Sequence, residues 1–307
     1  MKQKEPLPSS AAVVVGYHPD IGVLGRLLIS LASQVDTLIL VDNGGSVSAT
    51  EVEGIDKNII TYIDLIENKG LGAALNAGIR VAIESGAEFI ALFDQDSAPP
   101  AGLIESLLGT HRLLAAEGRN CAAASPVFFD RREGVKSCFP LYQERNGKIL
   151  TINSHSSAQR LVSVDALITS GMMIKAEVWQ CGYAFDEGLF VDYTDTEWCF
   201  RVRHGGYQLF ANLDLEMGHA PSDAPPARIF GLSFFRYSPI RRYYYYRNTT
   251  SFLLSKIVSR PWKTRLFIGI CLRFIVNTVI DANKLNSVKM MTHGIWDGIW
   301  KKSGPYA

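Results

Sequence analysis

Two carboxylates two residues apart, Asp94 and Asp96, end the apolar run in EFIALFDQDSAPP. On an extended backbone, residues i and i+2 point to the same side. Paired hard oxygen donors suit Mg²⁺ or Mn²⁺, and such an ion can in turn hold a diphosphate. A plainer reading leaves the acids solvated at a strand end, with Asp96 or Ser97 capping a helix that starts near Pro99-Pro100. A second acidic group, Asp192, Asp195 and Glu197, lies in FVDYTDTEWCFR. Asp192 and Asp195 are three apart and would share a face if a helix starts there. The competing reading is a set of helix-N-terminal acids favoured by the macrodipole. Trp198, Cys199 and Phe200 follow at once and would bury that helix beneath the acids.

The elements that must position these acids can be read from the apolar pattern. AAVVVGY (11–17) is an uninterrupted β-branched run, as expected of a strand buried on both faces. A helical pattern follows from Val23 to Ser33, then strands in TLILVDN and IITYIDL. ENKGLGAALNAGIRVAIESG reads as a loop entering a helix that stops at Gly86, and EFIALF as a fourth strand. Strand and helix alternating at this spacing predict a mainly parallel, doubly wound α/β sheet. Ligands of such sheets sit at the carboxyl ends of the strands. Tyr17, Asp42-Asn43, the 67–72 loop and residues 94–96 all fall at those ends. No G-x-G-x-x-G follows the first strand and no Walker A sequence is present, which argues against a dinucleotide or P-loop site. The glycines of NKGLGAALNAG either let the backbone approach a phosphate or sugar, or permit tight helix–sheet packing.

Composition bounds the class. With 47% hydrophobic and 20% charged residues, this is an ordinary globular chain with ample core. Five cysteines, odd in number and without CxxC spacing, read as reduced thiols rather than a zinc site. MKQKEPLPSS lacks the apolar stretch of a secretory signal. The net charge of +1 hides a split. From residue 228 onward there are 14 Lys and Arg against 2 Asp and Glu, a local +12; before it, 17 against 28, a local −11. A basic tail of this kind meets anions, either nucleic acid or a membrane surface, and no nucleic-acid recognition motif accompanies it.

Taken together, VVVGYHPD, LILVDNGGS, ENKGLGAALNAGI, ALFDQDS, ITSGMMIK, FDEGLFVDYTDTEWCFRVRHGGY and YYYYRN resemble, in order, the family 2 glycosyltransferases of GT-A fold, and in particular their bacterial rhamnosyltransferase branch. The family's acidic triplet is spelled Asp94-Gln95-Asp96 here. The resemblance implies that Asp42 would hydrogen-bond a nucleotide base bordered by Tyr17. Asn68, Gly70 and Asn76 would line the nucleotide-sugar pocket. Asp94 and Asp96 would hold the donor through Mg²⁺ or Mn²⁺, with His219 completing the metal site, and Ser170 and Gly171 would lie under the transferred sugar or acceptor. The general base would fall on Asp195; because Thr194 replaces the family's usual Glu, Asp192 competes for that role.

The function expected from the resemblance is inverting transfer of a sugar, best matched by L-rhamnose from dTDP-L-rhamnose, to a lipid-linked glycan in surface-polysaccharide synthesis. Galactofuranose or another hexose is not distinguished by composition or spacing. The class set against it is a non-catalytic protein that binds sugar nucleotides or polyisoprenoids. Two regions are expected, a GT-A catalytic domain over 1–227 and a basic, aromatic, helical region over 228–307. In the latter, LFIGICLRFIVNTVI (266–280) is too short and too interrupted to span a bilayer, which takes about 20 apolar residues. Arg265, Gly269, Arg273, Asn277 and Asp281 instead make a narrow polar stripe on an apolar helix. The expected location is cytoplasmic, peripheral on an anionic inner membrane face.

Overall fold

The computed structural model describes residues 9–45, 47, 60–130, 138–154, 157, 159–219, 224–229, 232–281 and 283–306. Strand β1 (Ser10–Gly16) is buried along its whole length. Its residues alternate between two cores, as the two-residue side-chain period requires. Ala11, Val13 and Val15 enter one, Ala12 and Val14 the other. Helix α1 (Ile21–Ala32) starts where Asp20 accepts a hydrogen bond from the Val23 amide, and it buries Leu24, Leu27, Leu28 and Leu31. Strands β2 (Thr37–Asp42) and β3 (Ile60–Asp64) follow, then α2 (Leu71–Glu84), β4 (Phe89–Asp94) and α3 (Leu103–Ala116). Helix α3 begins after Gly102 in a left-handed conformation, and the Ile104 amide in its first turn donates to Gln34 Oε1 (3.4 Å). Its start thus lies beyond Asp96 and Ser97, and the Ser97 hydroxyl meets that of Ser170.

Further strands β5 (Cys121–Asp130), β8 (Leu161–Val164), β9 (Met172–Lys175) and β10 (Gln208–His219) complete one eight-stranded sheet. A ribbon of β6 (Leu141–Arg145) and β7 (Lys148–Ile152) stands apart from it. The sheet order is β3-β2-β1-β4-β9-β5-β10-β8. Strand β9 runs antiparallel to both neighbours and β8 antiparallel to β10; the other pairings are parallel. Leucines of α1 and α3 cover one face, while α2, the short α4 (Ala176–Gln180) and α5 (Thr194–His204) cover the other. This is the α/β architecture expected.

The chain ends in a hairpin, β11 (Ala224–Ile229) with β12 (Leu232–Arg236), and three helices, α6 (Pro239–Leu254), α7 (Arg260–Ile280) and α8 (Lys284–Ile299). The division expected after residue 227 falls inside β11. The helices also pack into the body: Phe252, Val258 and Trp262 share a core with Phe200 of α5, and the Trp262 indole N–H donates to Asp165 Oδ2 (2.5 Å).

Candidate active site

A cleft of 1130 Å³ opens at the carboxyl ends of β1 and β4. It is lined by Tyr17, Asn68, Asp94, Gln95, Asp96 and Asp195, among others. Sequence positions far apart thus meet because parallel strands end on one edge. The Tyr17 amide donates to Gln95 Oε1 (2.6 Å), tying the ends of β1 and β4 together and leaving the Tyr17 ring 47% exposed at the cleft. Asn68 Oδ1 accepts from the Gly70 amide (2.9 Å) and from Asn43 (3.2 Å), fixing the loop that enters α2.

Several residues expected at the ligand hold the frame instead. Asp42 is fully buried and does not line the cleft; its Oδ2 accepts from the Val47 amide (2.6 Å) and the Tyr62 hydroxyl (3.2 Å). Its Oδ1 is buried with no hydrogen-bond partner among the described residues. Asn76 is likewise buried away from the cleft. Its amide donates to the Phe185 carbonyl and Glu187 (both 2.9 Å) and accepts from the Phe185 amide and the Trp179 indole. Gly70, at φ +89°, has room for no side chain, because a Cβ there would lie 2.7 Å from the Phe190 carbonyl oxygen. The next amide, of Leu71, donates to that oxygen (2.6 Å). These glycines pack closely, Gly70 and Gly72 against residues 186–190 and Gly78 against Val13. The start of α2 is a seat for the 185–190 segment. Ser170 is buried against Ser97, and Gly171 (φ +76°) meets Met217, its amide donating to the Leu92 carbonyl. Thr169, one residue earlier, reaches the cleft.

The acid-bearing segment is turned by three left-handed residues, Phe190 (φ 66°), Asp192 (57°) and Tyr193 (67°). Such conformations cost roughly 1–3 kcal/mol each outside glycine and persist only when the surroundings fix them. Helix α5 starts at Thr194, so Asp192 precedes it and does not share a helical face with Asp195. The two acids consequently differ. Asp192 pairs with Arg241 (3.3 Å). Asp195 lines the cleft with no ion pair among the described residues, its Oδ1 accepting from the Thr196 amide (2.6 Å) and hydroxyl (3.2 Å). Burial pushes its carboxyl above the ordinary aspartate range; the negative charge of Asp94 pushes the same way, against hydrogen bonds from Thr196 and Thr169.

What fixes the strained turn lies 56 to 59 residues on. The Asn248 side-chain amide donates to the carbonyls of Leu189 (2.9 Å), Val191 (2.7 Å) and Asp192 (2.9 Å). Arg247, 1% exposed, donates to those of Gly188 (3.1 Å), Leu189 (2.8 Å) and Gly304 (2.6 Å). Arg247 and Asn248 stand within YYYYRN, a motif to which sequence alone assigns no role. Its signal was an arginine and an asparagine inside an aromatic helix, where an unpaired polar group would be expensive.

Residues 13–149 match the family described as Glycosyl transferase family 2. The dTDP-rhamnosyl transferase RfbF of Shigella flexneri is 31% identical over 281 residues, covering 91% of this chain and 90% of that protein. The chain belongs to glycosyltransferase family 2. It is a glycosyltransferase of GT-A fold. Among solved structures, S. aureus TarS 1-349 in complex with UDP-GlcNAc superposes with a TM-score of 0.57 at 13% identity, over 95% of this chain and 80% of that one. The same fragment in complex with UDP gives 0.56 at 12% identity, over 94% and 81%. Of a longer S. aureus TarS chain, at TM-score 0.55 and 13% identity, this chain spans 49%. At such identities these likenesses concern the fold.

A family 2 transferase with paired acids at this edge raises the question of a cation. Asp94 and Asp96 both line the cleft, and the Asp94 charge already bears on Asp195. Among the described residues no group of three or more His, Cys, Asp or Glu forms a closed cage. Two carboxylates on an open edge still suit Mg²⁺ or Mn²⁺, which keep water and substrate phosphate oxygens as their remaining ligands. The backbone of His219 ends β10 opposite Asp130, and its side chain lies outside the described residues.

Proposed function

We propose that this glycosyltransferase moves L-rhamnose from dTDP-L-rhamnose to a hydroxyl of a lipid-linked glycan, in building a bacterial surface polysaccharide of the O-antigen kind. The observation that carries the transfer is the convergence of Asp94, Asp96 and Asp195 on one cleft. The Shigella relative supports the choice of donor. Tyr17, exposed at the cleft, supports base recognition at the end of β1. Mg²⁺ or Mn²⁺ held by Asp96 and Asp94 would supply charge neutralisation for the departing diphosphate. Asp195 accepts the proton of the attacking hydroxyl; its raised proton affinity suits a general base. Asp192, pinned by Arg241, is less suited to that role and orders the turn. With the acceptor oxygen attacking directly, the anomeric centre inverts and no sugar–enzyme bond forms.

The acceptor and location rest on α7. Among the described residues no helix is long and apolar enough to cross a membrane. Yet α7 turns its apolar side outward: Ile268, Ile275 and Val279 are 60%, 63% and 66% exposed. The C-terminal half of its polar stripe points in, with Asn277 buried and Asp281 paired with Arg242. An apolar face ringed by the basic tail fits peripheral attachment to an anionic inner leaflet. The deciding experiment supplies dTDP-L-rhamnose or UDP-galactofuranose with a lipid-linked glycan and Mg²⁺ or Mn²⁺, and measures nucleoside diphosphate release. Release of dTDP that depends on the acceptor is expected; release from the UDP sugar alone would replace rhamnose in this reading.

A further inference from the structure

The arginines of α6 are paired, whereas Arg273 of α7 meets no carboxylate among the described residues. Arg242 meets Asp281 and Ser287, Arg247 meets three backbone carbonyls, and Arg241 meets Asp192. Arg273, midway along α7, lines the cleft beside Tyr193, Tyr237 and Arg241. Its guanidinium lies 5.3 Å from the centroid of the Tyr245 ring, and no carboxylate pairs with it among the described residues. Burial works against its charge, and the hydroxyls of Tyr245, Tyr237, Tyr193 and Tyr246 around it hold its pKa above the ordinary arginine value. A desolvated charge without a counter-ion is costly. One that faces a ligand cleft calls for an anion that arrives with the ligand.

We propose that Arg273 is the anion-recognition residue of the acceptor subsite and binds a phosphate or diphosphate ester carried by the acceptor. The guanidinium fork matches two phosphate oxygens at once, and its stacking on an aromatic ring holds the fork in place. The donor diphosphate belongs with Asp94 and Asp96 at the close of β4. The groups around Arg273 are tyrosines of α5's approach and of α6, not those acids. The same helix exposes Ile268, Ile275 and Val279, so a phosphate borne by a lipid would reach Arg273 from the side where α7 meets the apolar phase. This inference deepens the proposed transfer to a lipid-linked acceptor and rests on it.

The test measures binding without turnover. The full chain, with dTDP saturating and EDTA present, is titrated calorimetrically with geranyl diphosphate, inorganic pyrophosphate and geraniol. Geranyl diphosphate is expected to bind, and Arg273→Gln to weaken it by roughly tenfold or more, as for a lost charge-assisted pair. Arg273→Lys, which keeps the charge and most of the packing, should retain part of that affinity, and geraniol should be indifferent to either change. Pyrophosphate binding with the same Arg273 dependence would assign recognition to the phosphate alone; binding of only the geranyl ester would assign it to a lipid-borne phosphate. Either supports the proposal. It is overturned if wild type binds neither anion, if Arg273→Gln binds geranyl diphosphate normally, or if both variants lose anion and geraniol binding equally, as a packing role would give. No donor sugar is present, so failure of the rhamnose reading would leave these affinities unchanged.

Discussion

Asp195 is held at one oxygen by Thr196 and left facing the cleft, with burial and Asp94 both opposing its ionisation. Its folded pKa lies above the unfolded value, so the native state binds the proton more tightly. The cost of ionising it grows as pH rises from the unfolded value through the folded one. Asp195→Asn should therefore be more stable than wild type at neutral pH by thermal melting, while turnover falls about 10²–10⁴-fold with donor KM little changed. The acid limb of the wild-type kcat/KM profile should lie above the ordinary aspartate range. Normal turnover in Asp195→Asn with Asp192→Asn inactive would move the base to Asp192. At the other end of the cleft, Asp96→Ala should abolish Mn²⁺-dependent donor affinity in a titration and leave the melting temperature nearly unchanged, since Asp96 is a partly exposed strand-end acid.

Helix α6 acts on the chemistry through the turn it grips. Asn248→Ala would remove the side-chain donor from the carbonyls of Val191 and Asp192, at about 1–3 kcal/mol for each group that stays dry, while Leu189 keeps its bond from Arg247. The expected outcome is lowered stability together with a fall in kcat that exceeds any change in donor KM, read by denaturant melts and steady-state kinetics. A pure stability loss with wild-type kcat in the folded fraction would deny the positioning role. Helix α8 reaches α6 closely enough to support this grip because Gly294 and Gly298 lack side chains; a Cβ at either would run into the backbone carbonyl of Tyr243 or Arg247. Helix α3 carries a separate sensitivity. His111 is buried against the Met173 carbonyl and the Phe89 ring, and burial lowers its pKa from 6.5 to about 4. It must take up a proton on unfolding, so stability should fall by about 3 kcal/mol as pH drops from 6.5 toward 4, and His111→Gln should remove that slope in melts across the range.

For the molecule as a whole, the exposed apolar face of α7 is the consequential feature. An exposed apolar stripe on a soluble surface is a liability unless something covers it. Each Lys or Arg near an anionic leaflet adds about 1 kcal/mol of attraction, and residues from 228 onward carry 14 of them against 2 acids. Flotation with anionic vesicles should recover the protein at low salt and less at high salt, whereas Ile275→Glu with Val279→Glu should stay unbound. Equal flotation with neutral vesicles, or an unaffected double variant, would sink the membrane reading.

The strand–helix alternation, the sheet edge at which ligands gather, and the acids at 94, 96 and 195 were legible in the chain, because burial writes period-two and 3.6-residue patterns into local sequence. The family itself was legible from the order of its motifs. Local pattern could not show that Asn76 and Gly70 serve the seat of the 185–190 segment rather than the ligand, since their partners lie over a hundred residues away. It could not separate Asp192 from Asp195 either. That distinction comes from three left-handed residues and from Arg241, Arg247 and Asn248 on a helix that the sequence reading assigned to another domain. The facing of α7 was likewise undetermined: periodicity gives a helix two unlike sides, and only its packing against α6 and α8 decided that Ile270, Val276 and Asn277 are buried while Ile268, Ile275 and Val279 face outward.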